Sequence, residues 1–124
     1  NYKETDPLLP SSNYAWSKLG GESAVQMYKN SLIIRASMTE KPFVHKQAYA
    51  NVITNFIYHE DFIKIFKKLI HKKGVFNVGG PTNSVYNFAK SNNPKIKKIF
   101  LKNKKRSLMP INSSMNFSKL KKFI

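Results

Sequence analysis

Apolar residues at Phe62, Ile65, Phe66, Leu69 and Ile70 recur at i, i+3, i+4, i+7 and i+8, which draws one stripe along a helix. Glu60 and Asp61 stand where that helix begins and Lys72 and Lys73 where it ends, as the helix dipole favours, with Gly74 placed to terminate it. Upstream, Ser11-Ser12-Asn13 offers N-cap side chains for a helix over roughly residues 14–29, with Leu19, Val25, Met27 and Tyr28 as its apolar positions. Gly20 and Gly21 fall in its middle. A glycine there costs about 1 kcal/mol against alanine, so the pair predicts a close neighbour. Ser31 to Ala36, with the unbroken run Leu32-Ile33-Ile34, reads as a short buried strand, and Val75 to Val78 as a second. Residues 43–53 suit a helix, and Phe56-Ile57-Tyr58 suits extended chain. Gly79-Gly80-Pro81 predicts a turn, Asn83 or Ser84 the cap of a short helix through Lys90, and Ser118 the start of a last helical turn or two. Helix, strand, helix, strand, helix is the order of an α/β protein, and the chain has no internal repeat.

Composition narrows the class. With 124 residues, 41% hydrophobic and 13% aromatic, the chain has room for one packed domain. No apolar run approaches the roughly 18 residues of a membrane span, and the polar, proline-containing first ten residues are unlike a secretory signal. There is no cysteine, which excludes disulfides and thiolate metal sites. A cytoplasmic protein with no membrane partner is the expectation. Asn1 is neither Met nor a small residue exposed by Met removal, so the sequence reads as cut from a longer one.

The net charge of +16 is lopsided. Residues 1–61 hold all six acids and six bases, and residues 62–124 hold the other sixteen bases and no acid. That asymmetry suggests a polyanionic partner. Yet twenty of the 22 bases are lysine, amid many Asn and Ile, which is also what a compositional skew produces. Nucleic-acid readers rely on the planar fork of Arg, and only Arg35 and Arg106 are available. The skew is the preferred reading, and no specific nucleic acid is expected as partner.

The chemistry sits near the N-terminus, in Tyr14-Ala15-Trp16-Ser17-Lys18-Leu19-Gly20-Gly21-Glu22. Four residues apart on a helix, Tyr14 and Lys18 share a face. A free phenol ionises near pH 10, and a neighbouring ammonium favours its phenolate, so such a pair can exchange a proton with a carbonyl or alcohol oxygen near neutrality. Alone the spacing is common. Its context is less so: a strand ending in Arg follows (Leu32-Ile33-Ile34-Arg35), then Phe56-Ile57-Tyr58-His59-Glu60-Asp61, then Val75-Phe76-Asn77-Val78-Gly79-Gly80, and finally Met109-Pro110-Ile111-Asn112-Ser113-Ser114-Met115-Asn116-Phe117-Ser118-Lys119-Leu120. This series resembles the C-terminal part of the extended short-chain dehydrogenases/reductases, and most of all the dTDP-4-dehydrorhamnose reductase and nucleotide-sugar epimerase group.

The resemblance implies a Rossmann-type α/β fold without its N-terminal dinucleotide-binding strands, with residues 1–36 as the Tyr-Lys helix and its strand, and residues 37–124 as mostly substrate-binding. It implies Tyr14 as general acid/base, Lys18 as its electrostatic partner and ribose ligand, and NAD or NADP as cofactor. A nucleotide sugar is the implied substrate, touched by Arg35, Asn55 and Arg106 and by residues 37–58 and 106–116. The missing half of the enzyme, and a homo-oligomer, are the implied protein partners. No glycine-rich dinucleotide loop occurs in the 124 residues, which by themselves are expected to be inactive and to bind neither NAD nor NADP tightly. Met109 stands where the reductase ending has Arg, and Ser37-Met38-Thr39-Glu40 lacks the family's aromatic residue.

Other candidates are weaker. His45, His59 and His71 are too scattered for a metal site, and Glu60 and Asp61 beside His59 are explained by the helix start. Gly79-Gly80-Pro81-Thr82-Asn83 could offer amides to a phosphate, although a plain turn is simpler. A basic binding module and an inactive substrate-domain remnant are the competing functions. They are separable by experiment: sixteen bases attract any polyanion at low salt, so binding measured at physiological salt should be weak and indifferent to sequence. Nanomolar, sequence-selective binding there, by fluorescence anisotropy, would select the nucleic-acid module.

Overall fold

The computed structural model describes residues 1–102 and 109–124. The chain opens with an extended strap, residues 1–10, which leads into α1 (Asn13–Gln26). The expected cap forms: the Ser12 hydroxyl accepts the Ala15 N–H at 3.2 Å. The helix stops at Met27, short of the predicted residue 29. β1 (Leu32–Ala36) follows, then β2 (Met38–Thr39), β3 (Gln47–Tyr49), β4 (Ile53–Thr54) and β5 (Ile57–Tyr58). The helix considered for residues 43–53 is therefore replaced by two short strands. Ala48 and Val52 are buried while Gln47 is exposed, so the apolar positions serve pleated segments and not a helical stripe.

The amphipathic helix is α2 (His59–Leu69), with Glu60 and Asp61 in its first turn. Its C-cap is Ile70, and Gly74 is not the helix terminator the sequence suggested. Gly74 instead opens β6 (Gly74–Val78) at a φ of 93°, the left-handed region that glycine enters freely. β7 (Asn83–Ser84) leads into α3 (Val85–Lys90), capped by the Ser84 hydroxyl on Asn87 N–H. β8 (Lys97–Ile99) pairs in parallel with β3. A 3-10 turn at Leu120–Lys122 ends the chain.

β1 and β6 form the central parallel pair, Leu32 opposite Gly74 through Ala36 opposite Val78. On one face Leu32, Ile34 and Ala36 meet Leu69, Phe76, Val78 and Leu120, with Phe62 and Ile65 of α2 closing the cluster. On the other lies α1, which buries no residue at all. A second cluster of Phe43, Ala48, Val52, Val85, Ala89, Ile96 and Leu101 holds α3 against β3 and β8. No helix among the described residues is long and apolar enough to cross a membrane.

The glycines behave in opposite ways. A Cβ on Gly79 would sit 2.6 Å from the Asn55 carbonyl oxygen, and one on Gly80 would overlap the Phe56 carbonyl oxygen. Gly20 and Gly21 have nothing within 4 Å, so the close neighbour predicted for them is not among the described residues. Gly80→Ala should therefore lower stability by about 1–3 kcal/mol through overpacking against backbone, whereas Gly20→Ala should raise it by about 0.5–1 kcal/mol. Urea denaturation of the two variants reads both signs.

Candidate active site

Tyr14 lies in the first turn of α1 and Lys18 one turn on. The Lys18 ammonium sits over the Tyr14 ring, 5.2 Å from its centroid. The Tyr14 side chain is 73% exposed, so its face of the helix is accessible. Two depressions flank it. One, of about 350 Å3, lies between α1 and Leu8, Leu9 and Pro10 of the strap. The other, of about 840 Å3, runs beneath α1 along β1 to Ser37, Met38, Ser113 and Met115. A separate cavity of about 670 Å3 opens in the second lobe among Phe43, His45, Lys46, Tyr49, Phe56 and Met109. Ser37 and Ser113 border both this cavity and the groove beneath Tyr14. Among the described residues, His45 and Lys46 are the basic side chains on the cavity wall, and no carboxylate lines it.

The remaining sequence candidates have other duties. Arg35, implied as a substrate contact, donates through its guanidinium to both Glu22 carboxylate oxygens, at 3.1 and 2.6 Å, and to the Glu4 carbonyl at 3.1 Å. With side-chain exposures of 19% and 12%, the Arg35–Glu22 pair is a neutralised internal fork that fastens α1 to β1. Asn55, read as a substrate residue, is fully buried. Its amide donates to the Gly80 carbonyl and the Thr82 hydroxyl, both at 2.9 Å, and its oxygen accepts the Met115 N–H at 2.7 Å. No lone group is left for a ligand. Within the possible phosphate cradle, the Gly80 N–H already donates to the Asn55 carbonyl at 3.1 Å. Arg106 lies outside the described residues.

Ser37 and the cavity wall at His45 and Lys46 were missed as individual residues, although they fall within the substrate stretch. No local pattern marks them, since it is folding of residues 43–56 against 109–113 that brings them together. Among the described residues no group of three or more His, Asp and Glu is placed to hold a metal ion.

Known protein families offer no match to the sequence, and no curated protein matches it. Solved structures do. The dTDP-4-dehydrorhamnose reductase of Bacillus anthracis, determined in complex with NADP, superposes with a TM-score of 0.80 at 21% identity over 98% of this chain. A hypothetical dTDP-4-dehydrorhamnose reductase from Sulfolobus tokodaii gives 0.80 at 23% over all of it. The UDP-glucuronic acid 4-epimerase of Bacillus cereus, in complex with NAD, gives 0.69 at 19% over 98%. The chain spans about half the length of each, 52%, 52% and 48% respectively. At these identities the likeness is one of fold: the α/β architecture is that of half of a Rossmann-type reductase or epimerase.

The two polar hubs should respond differently to mutation. Asn55→Ala leaves a buried N–H, a carbonyl and a hydroxyl without their partner and should cost about 2–3 kcal/mol of global stability in chemical denaturation. Glu22→Gln should act locally, speeding amide exchange throughout α1 while the exchange of β6 stays the same, because α1 has no buried residue to hold it once the charged fork is weakened.

Proposed function

We propose that the chain carries the proton-transfer helix and much of the substrate site of an NAD(P)-dependent nucleotide-sugar reductase or epimerase. The observation that supports this best is the shared border at Ser37 and Ser113. A ligand lodged in the cavity among Phe43, Tyr49 and Phe56 would extend past these two hydroxyls toward Tyr14. His45 and Lys46 suit the anionic portion of a nucleotide sugar, and the aromatic walls suit its flat or apolar portions.

In a reduction, the Tyr14 phenol gives its proton to the sugar carbonyl oxygen as the carbon gains hydride. In an epimerisation the Tyr14 phenolate first takes the proton from the sugar hydroxyl as the carbon gives up hydride. Lys18 keeps a positive charge beside the ring through both, so negative charge on the oxygen has a fixed counter-ion. The nicotinamide cofactor supplies or accepts the hydride when bound. Of the contacts a dinucleotide needs, this chain's residues fit the nicotinamide end only, through Tyr14 and Lys18. Of the glycine pair that precedes a helix, Gly79-Gly80, the N–H and carbonyl of Gly80 are both bonded to Asn55. A partner half must therefore hold the phosphates.

The test is turnover by this chain joined to its dinucleotide-binding half, offered dTDP-4-dehydrorhamnose with NADPH and UDP-glucuronic acid with NAD. One of the two should react, and Tyr14→Phe should lower its turnover by about 10²–10⁴-fold with little change in cofactor affinity. Normal turnover in that variant would remove Tyr14 from the chemistry.

A further inference from the structure

The parallel pair β1–β6 has two ends, and three segments of chain meet at the end where both strands begin. Residues 27–31 lead from α1 into β1, and residues 70–73 lead from α2 into β6. The two are joined where the Gly74 N–H donates to the Ser31 carbonyl at 2.8 Å and Lys73 donates to the Asn30 side-chain oxygen at 2.7 Å. The third segment is the last turn. Its Leu120 is buried in one cluster with Leu69 of α2, and the Lys72 ammonium lies 5.3 Å from the Phe123 ring centroid. That ring also meets Phe76 of β6 edge-on, with centroids 5.4 Å apart.

This end is apolar and basic at once. Met27 and Tyr28 are 82% and 73% exposed, Ile70 51% and Phe123 42%. Around them stand Lys29, Lys72, Lys73, Lys121 and Lys122, all exposed. Residues 27–31, 70–74 and 118–124 contain no Asp or Glu. A compositional skew accounts for lysines. It does not account for large apolar side chains left in water among them, on three segments that the fold brings together.

We propose that this end is a docking surface for an anionic phospholipid bilayer. Met27 and Ile70 enter the boundary between headgroups and acyl chains, and the Tyr28 ring lies at that level with its hydroxyl in water. The lysines meet the negative headgroups, so apolar insertion and a polybasic patch act together, as reversible surface binding requires. The contact lies on the bilayer and crosses nothing. A nucleic acid fits less well. A single strand tracks a groove, yet neither the depressions flanking Tyr14 nor the second-lobe cavity is lined by these residues, and no Arg is among them. Tyr14 stands thirteen residues before Met27, about 20 Å along α1, so the groove beneath it stays open to water. The inference is independent of the Tyr14 chemistry.

Co-sedimentation of the 124-residue chain with vesicles is the test. At about 0.15 M salt, phosphatidylcholine vesicles with about 30% phosphatidylserine should bind it about tenfold or more tighter than phosphatidylcholine alone. Equal binding to both, or none to either, overturns the proposal. Raising the salt to about 0.5 M should release the unmodified chain, and binding that persists overturns it too. Lys121→Glu with Lys122→Glu should weaken binding to the anionic vesicles about tenfold or more. Lys95→Glu with Lys97→Glu, the same change of charge at exposed positions of the second lobe, should weaken it less than about threefold. Equal losses would mean that net charge binds and this surface does not. Tyr28→Ser should weaken binding about threefold or more with an unchanged circular dichroism spectrum, and full binding by that variant would overturn the proposal. A single-stranded oligonucleotide that displaces the vesicles at equal phosphate concentration would assign the surface to nucleic acid instead.

Discussion

The guanidinium of Arg35 joins three stretches of chain that have little else in common: the strap at Glu4, the helix at Glu22 and the strand that carries it. A charged group placed there must be paired, since desolvation without a partner costs far more than the pair gains. Glu22 provides the pair, and the strap provides a carbonyl. The strap is then held a second time, because the Glu4 carboxylate accepts the Asn77 N–H on β6. Tyr14 lies eight residues before Glu22, about 12 Å along α1, so a small change of angle at the fork is magnified at the phenol. An arginine selected by its position at a strand end thus acts on the candidate chemistry through orientation.

Much of this was legible in the sequence for identifiable reasons. α2 announced itself because its apolar stripe, acidic start and basic end all agree, and each is a local property. β1 and β6 were visible as short unalternating runs, and Ser12 and Ser84 as caps, for the same reason. The strands β3, β4, β7 and β8 of the second lobe were not. Its strands are two or three residues long, and each is defined by a partner far away in sequence: β3 by β8, β4 by β7. Nothing within Gln47–Tyr49 distinguishes a strand from a helical turn until Lys97–Ile99 is beside it. Asn55, implied by the resemblance as a substrate contact, takes a structural place that only the fold reveals. Three backbone and hydroxyl partners, from residues 80, 82 and 115, converge on its buried amide.

The basic half of the chain takes a plainer meaning in the folded state. Lys119 closes a strand carbonyl and lies over Phe76, Lys73 donates to Asn30, and Lys90 and Lys98 both stack on Tyr86. Lysine stems cover apolar surface while their ammonium groups find rings and carbonyls. Several bases of residues 62–124 thus have structural employment, which fits a compositional skew absorbed by the fold.

The pairing pattern also governs how the chain can assemble. β1 must wait for β6, some forty residues later, and β3 must wait for β8 at a similar remove, while the Tyr2–Met115 bridge joins the two ends. Contacts of such long reach pay their loop entropy before they return any stability, so the fold should form slowly for its size. During synthesis, α1 and β1 would leave the ribosome long before anything in this chain could pair with them.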